Sequence, residues 1–139
     1  MTPINEIRGI RNNTPGNIRH GEKWLGLATE QPDPAFCRFV SPEYGTRAMS
    51  RILSKYQRRH GLKTLRGIVS RWAPPAENDT DAYIRHVCDQ VGAGPDDAID
   101  MENPETLEAL TAAIITHENG INPYSRELIR RGIDLALEA

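Results

Sequence analysis

Apolar residues recur at spacings of three and four in several stretches after residue 40, which is the pattern of one helix face. Residues that suit helix N-caps precede these stretches, and several stretches end at a glycine, which suits a helix C-terminus. The predicted helices follow Ser41, Thr64, Asp79 or Thr80, Asn103 and Ser125. No strand-rich region alternates with them. The pattern therefore predicts a mainly α fold of about five helices.

The N-terminal part of the chain is different, because residues 1–40 lack helical periodicity and are rich in turn formers. Residues 18–20 and 24–27 are consistent with two short strands joined by a tight turn. The length of 139 residues suits one domain with a real core. We therefore expect a single domain over residues 1–139. Its parts are a small irregular or β-hairpin lobe with cleft loops at 1–40 and a helical body at 41–139.

The predicted helix over residues 103–120 is apolar nearly all the way round, which is typical of a buried helix. Its last turn carries His117, Glu118 and Asn119, and Gly120 ends it. Burial and the negative end of the helix dipole would both favour the protonated form of Glu118, as a general acid requires. Periodicity alone, in contrast, favours a solvated surface glutamate, which is common in last turns.

Composition and charge exclude several classes of protein. Hydrophobic residues make up 38% and charged residues 26%, which is typical of a soluble globular chain and not of a disordered one. The formal net charge of −2 gives no electrostatic case for nucleic acid as the main partner. No apolar run approaches the roughly 20 residues of a membrane span. The N-terminus does not have the pattern of a secretory signal peptide.

Metal and cofactor chemistry is not indicated either. Cys37 and Cys88 lie far apart without a CxxC pattern and are expected to be buried thiols. The four histidines have no zinc-binding spacing, and the chain has no glycine-rich phosphate loop. We therefore expect no metal and no cofactor.

Three segments, residues 8–19, 71–84 and 117–125, together resemble a family of phage- and prophage-encoded proteins usually labelled virion structural proteins. The second segment contains the run Trp-Ala-Pro-Pro-Ala-Glu-Asn-Asp, and the third contains His-Glu-Asn-Gly followed by Pro-Tyr-Ser. The likeness spans nearly the whole chain. It implies a phage context but no particular chemistry.

A second resemblance concerns chemistry. The segments at residues 16–19, 24–26 and 39–43 resemble, in sequence and in order, segments of the bacterial glucosaminidases that include flagellar muramidases. In those enzymes the catalytic glutamate ends a helix just before the asparagine-containing segment. Here too few residues precede Asn17 for such a helix, and an apolar helix that ends in glutamate appears instead at residues 112–120. The chain therefore resembles a circularly permuted lysozyme-like domain, which closely spaced termini permit.

The resemblance implies a glycosidase site with Glu118 as general acid and a second group across the sugar, because the transition state is oxocarbenium-like. Glu77 and Asp79 are the best candidates for that group, and the substrate's own N-acetyl group is the alternative. Asp79 is more simply a helix N-cap, and Glu77 is equally consistent with a solvent-exposed side chain. The side chains expected to bind the sugars are Asn17, Trp24, Trp72, Asn78, Tyr83, Asn119 and Tyr124. Turn chemistry is the competing explanation for the asparagines, and core packing for Trp72 and His117.

We therefore expect a peptidoglycan glycan-strand hydrolase of lysozyme, muramidase or glucosaminidase type, encoded by a phage or prophage. Its expected partners are peptidoglycan strands and other virion proteins. Its expected location is the virion, or the bacterial cytoplasm before release, with action on the cell wall. Two alternatives stay open. One is a non-catalytic virion or tail component that keeps the lysozyme-like fold, and the other is a helical protein–protein adaptor in which Glu118 is only a surface residue.

Overall fold

The structure, a computed structural model, describes residues 3–138; residues 1, 2 and 139 of the expected domain lie outside that range. After a short 3-10 turn (Ile4–Glu6), the helices are α1 (Arg8–Arg11), α2 (Pro42–His60), α3 (Leu65–Trp72), α4 (Thr80–Val91), α5 (Pro104–Asn119) and α6 (Arg126–Leu137). The prediction of a mainly α fold is confirmed. No helix in the described part of the chain is long and apolar enough to cross a membrane.

The helix boundaries follow from local capping chemistry. Four N-cap side chains accept a hydrogen bond from a backbone N–H of the first turn. They are Thr64, Asp79, Asn103 and Ser125. At the other end, α2, α4 and α5 each stop at a glycine with a left-handed backbone, which other residues adopt at a cost. Those glycines are Gly61, Gly92 and Gly120.

The central element is α5, which packs against α1, α2, α4 and α6. Its buried residues are Leu107, Leu110, Thr111, Ala113, Ile114 and Ile115. α6 also lies very close to α2: a Cβ at Gly132 would be only 2.6 Å from the Cβ of Thr46. Five of the helices therefore form one packed body whose middle is the helix that carries Glu118.

The N-terminal lobe is held by isolated β-bridges, and the residues described contain no longer ladder. Arg19 bridges Phe36, and Leu27 bridges Phe39. The expected hairpin between residues 18–20 and 24–27 is therefore wrong in its pairing, because each of these segments pairs with residues 35–40 instead. The reason is burial. Cys37 and Phe39 are both 1% exposed, so the segment that carries them takes the central position between the other two.

A buried carboxylate, Asp33, ties this lobe to α1. The Nε and Nη2 atoms of Arg8 donate to its two oxygens, each at 2.6 Å. Asn12 Nδ2 and the backbone N–H groups of Ala35 and Phe36 donate to the same carboxylate. The Arg8 guanidinium and these N–H donors hold the pKa of Asp33 well below its usual range, although burial opposes them. The ionised form of Asp33 is therefore part of the folded structure.

We expect the Asp33→Asn variant to have a lower melting temperature than the wild type at pH 7. Because the pKa of Asp33 is lowered on folding, its contribution to stability is fully present above the unfolded-state pKa of about 3.9 and is lost as the pH falls below it. The difference in melting temperature should therefore narrow below about pH 4. Thermal melts followed by circular dichroism at several pH values measure this. Asp89→Asn, on the exposed side of α4, is the control. A difference that stays constant with pH would contradict the assignment.

Candidate functional site

The C-terminal end of α5 meets the turn at residues 13–17. Asn119 Nδ2 donates to the backbone oxygen of Pro15 at 2.7 Å and to that of Ile115 at 2.9 Å. Asn17 Nδ2 donates to Glu118 Oε1 at 3.1 Å. The juxtaposition that a permuted arrangement requires, with residues 13–17 beside the Glu118–Asn119 turn, is therefore present in the structure.

The turn at residues 13–17 is shaped by two asparagines with a left-handed backbone, Asn13 and Asn17, each with a φ of 54°. Asparagine tolerates this conformation better than most residues with a side chain. Asn13 Nδ2 donates to the backbone oxygen of Phe39, which fixes one end of the turn to the lobe. Thr14 Oγ1 accepts from the N–H of Ile18 and closes the other end. The Asn17 side chain is thereby directed at Glu118.

Gly9 in α1 makes room for this junction. A Cβ at Gly9 would lie 2.6 Å from Asn119 Oδ1 and 2.9 Å from Asn17 Oδ1, which is closer than real Cβ contacts come. The bare backbone of α1 therefore packs directly on both amides. Any larger residue at this position would have to displace one of the two side chains that frame Glu118.

Glu118 and Asn17 line a cleft with a volume of about 210 Å³. Trp72 and Asn78, both predicted from the sequence, lie on its wall, as do three residues that sequence reasoning missed. The missed residues are Arg19, Phe36 and Tyr56. Within the described range, Glu118 is the single carboxylate among the residues that line the cleft. The cleft therefore combines one acidic group and two amides with aromatic rings.

Glu77 lies at the rim and does not line the cleft. Its carboxylate is 3.9 Å from Nη2 of Arg19, and both side chains are more than half exposed, so the pair contributes little to stability. Asp79 accepts from the N–H of Ala82 as the N-cap of α4, as the simpler interpretation expected. The structure therefore does not bring either acid into contact with Glu118.

Tyr83 lies beneath Glu118 and is only 1% exposed. Its ring stacks on His117 with centroids 3.7 Å apart. Burial, followed by the negative charge of Glu118, raises the pKa of the Tyr83 phenol. Contrary to the expectation of a sugar-stacking surface, Tyr83 is buried support for the floor of the cleft.

His117, which is half-buried, belongs to the same support. Its Nδ1 shares a hydrogen bond of 2.8 Å with Nδ1 of His86 on α4, a partner that sequence reasoning missed. Burial, followed by the charge of His86, lowers the pKa of His117. A neutral imidazole is required on one side at least, because one Nδ1 donates and the other accepts. Core packing is therefore the role that the contacts of His117 support.

The remaining predicted residues lie elsewhere. Trp24 is half-buried in a neighbouring groove. Tyr124 packs against the core, and burial raises the pKa of its hydroxyl to about 12. Cys37 and Cys88 are free thiols, and Cys37 is 1% exposed. Across residues 3–138 no cluster of three or more histidine, cysteine or acidic side chains is arranged to hold a metal ion.

The chain is similar in sequence to a known phage protein. No protein-family model matches the chain. Over 138 residues the chain is 41% identical to "Protein P5" of Pseudoalteromonas phage PM2. The alignment spans 96% of this chain and 84% of that protein. The similarity thus covers the lobe, the cleft and the helical body alike.

Proposed function

The chain belongs to the family of protein P5 of Pseudoalteromonas phage PM2, and on that premise we propose that it is a component of a phage particle that binds peptidoglycan glycan strands. Family membership supports the phage part of the proposal. The likeness of residues 8–19, 71–84 and 117–125 to virion structural proteins points to the particle. We take the whole chain as a single domain in this role.

The observation that carries glycan binding is the Glu118–Asn17 pair at the head of an aromatic cleft. Carboxylate and amide groups supply acceptors and donors for sugar hydroxyl and N-acetyl groups. The rings of Trp72 and Tyr56 supply apolar faces of the size of a sugar ring. A concave site with few convergent polar groups and aromatic walls is typical of a small-ligand site.

A second candidate function is cleavage of the bound strand, which Glu118 would begin as general acid. Its proton passes to the glycosidic oxygen as the bond from that oxygen to the anomeric carbon breaks. No second carboxylate lines the cleft in the described residues, so the N-acetyl oxygen of the substrate would bond to the anomeric carbon. A water molecule then opens that intermediate and returns a proton to Glu118.

The particle assignment has a direct test. Purified particles of the phage or induced prophage that encodes this chain should contain it in a constant ratio to the major capsid protein. Quantitative mass spectrometry of gradient-purified particles measures that ratio. Detection only in the infected-cell lysate, with none in particles, would contradict the assignment.

The glycan-binding assignment predicts different outcomes for Asn17→Gly and Asn13→Gly. Glycine suits the left-handed backbone at both positions, so each variant removes only an amide side chain. Asn17→Gly should weaken binding to insoluble peptidoglycan by about two- to tenfold, because one hydrogen-bonding group is lost. Asn13→Gly keeps the Asn17 side chain, so it should weaken binding less than Asn17→Gly does, and it should destabilise the fold by about 0.5–1.5 kcal/mol through the lost bond to Phe39. Sedimentation with peptidoglycan and chemical unfolding measure the two effects. A wild type that does not sediment would favour the helical adaptor.

Cleavage is tested by Glu118→Gln. Glutamine keeps the shape of the side chain and still accepts from Asn17, but it cannot donate the proton that the leaving oxygen needs. Activity should therefore fall by about 10²–10⁴-fold while binding is kept. The measurement is release of reducing sugar ends from purified peptidoglycan. Glu127→Gln, outside the cleft lining, is the matched control. A wild type with no activity would leave the cleft as a binding site only, and a glutamine variant that retains the activity would remove Glu118 from the chemistry.

A further inference from the structure

A second concave surface, which we call the basic groove, lies beside the cleft and has a volume of about 380 Å³. It is formed by the C-terminal half of α2, the end of α3 and the loop that carries Trp24. The cations on its walls are Arg51, Lys55, Arg58, Arg59 and Arg71. Among the described residues that line it, Glu22 is the single acid. The overall net charge is −2, so this local excess of positive charge is a property of the groove and not of the chain.

The positive charge in the basic groove is only partly neutralised by the described residues. Arg51 Nη1 donates to the backbone oxygen of Ala136, and Arg58 lies 3.7 Å from Glu102. Lys55 and Arg59, by contrast, form no ion pair with an acid anywhere in residues 3–138. Two cations that line the same groove therefore have no acidic partner among the described residues, which leaves their charge available to an anionic ligand.

His60, which also lines the basic groove, is affected by its surroundings. Burial, followed by the surrounding arginine and lysine charges, lowers the pKa of His60. The Arg71 guanidinium lies 5.3 Å from the centre of the Tyr56 ring, which positions it over the same wall. The groove thus combines cations with an aromatic surface.

The basic groove is continuous with the cleft, because Ile52 and Tyr56 line both. Trp24 adds a second ring on the groove side. A polymer lying in the cleft would therefore be adjacent to the groove across the wall that they share. The mixed lining suits a short peptide with carboxylates and small apolar groups better than a bare polyphosphate, which needs charge alone.

We propose that the basic groove binds the acidic stem peptide of peptidoglycan while the glycan strand lies in the cleft. The glycan half of this proposal rests on the proposed function. Lys55 and Arg59 contact the carboxylates of the stem peptide, and Trp24, Ile52 and Tyr56 contact its aliphatic parts. The groove therefore makes the protein selective for glycan that still carries peptide.

The test compares three soluble probes: a peptidoglycan disaccharide with its stem peptide, the same disaccharide without the peptide, and the free stem peptide. The wild type should bind the peptide-bearing disaccharide more tightly than the bare one, and the difference should shrink at high salt. Lys55→Gln/Arg59→Gln should weaken binding of the peptide-bearing disaccharide by about three- to tenfold and leave the bare disaccharide unaffected. Isothermal titration calorimetry measures all three.

The matched control is Lys63→Gln/Arg85→Gln, which removes the same charges from exposed positions outside the groove lining and should change nothing. Equal wild-type affinity for the two disaccharides would overturn the groove assignment and leave glycan binding in place. Binding of the free peptide without either disaccharide would support the groove and refute the glycan function. Capture of the wild type by phosphatidylglycerol vesicles without peptide binding would overturn the proposal in favour of an anionic surface.

Discussion

The junction between the end of α5 and the turn at residues 13–17 is the constraint on which the rest of the site depends. Two amide hydrogen bonds, from Asn119 to Pro15 and from Asn17 to Glu118, join positions 104 and 101 residues apart in the chain. Closing so long a loop costs conformational entropy, which two such bonds alone do not offset. The burial of α5 and the close packing of Gly9 supply the remaining stabilisation, so the cleft forms only when the whole fold does.

Two kinds of interaction support the cleft. Aromatic packing lies behind Glu118, and an ion pair anchors the N-terminal lobe. The Tyr83–His117 stack and the bond from His117 to His86 connect α4 and α5 under the cleft. On the other side, the Asp33 carboxylate fixes the lobe to α1 through Arg8. Acid should weaken both supports, because protonation of His117, whose pKa burial lowers, opposes its packing, and protonation of Asp33 removes its ion pair. The cleft is held between them.

Local chemistry explains which parts were predictable from the sequence. Capping residues such as Thr64 and Asn103 act on their own helix, so helix positions and the buried character of α5 could be read directly. In the N-terminal lobe, the pairing of the short extended segments depends on which of them is buried. The local sequence pattern does not indicate which segment that is. Tyr83 and Tyr56 illustrate the limit for the site: both are aromatic residues on helix faces, yet the packing of α4 buries one while the other lines the cleft.

Binding and cleavage make different demands on the same residues. A glycan-binding cleft needs convergent acceptors, donors and ring faces, and groups of these kinds line the cleft at Glu118, Asn17 and Trp72. A hydrolase with two carboxylates also needs the second acid near the sugar, whereas Glu77 pairs with Arg19 at the rim. The cleft thus offers acceptors, donors and ring faces for the proposed binding, and for the proposed cleavage it offers one carboxylate, so the second group would have to come from the substrate.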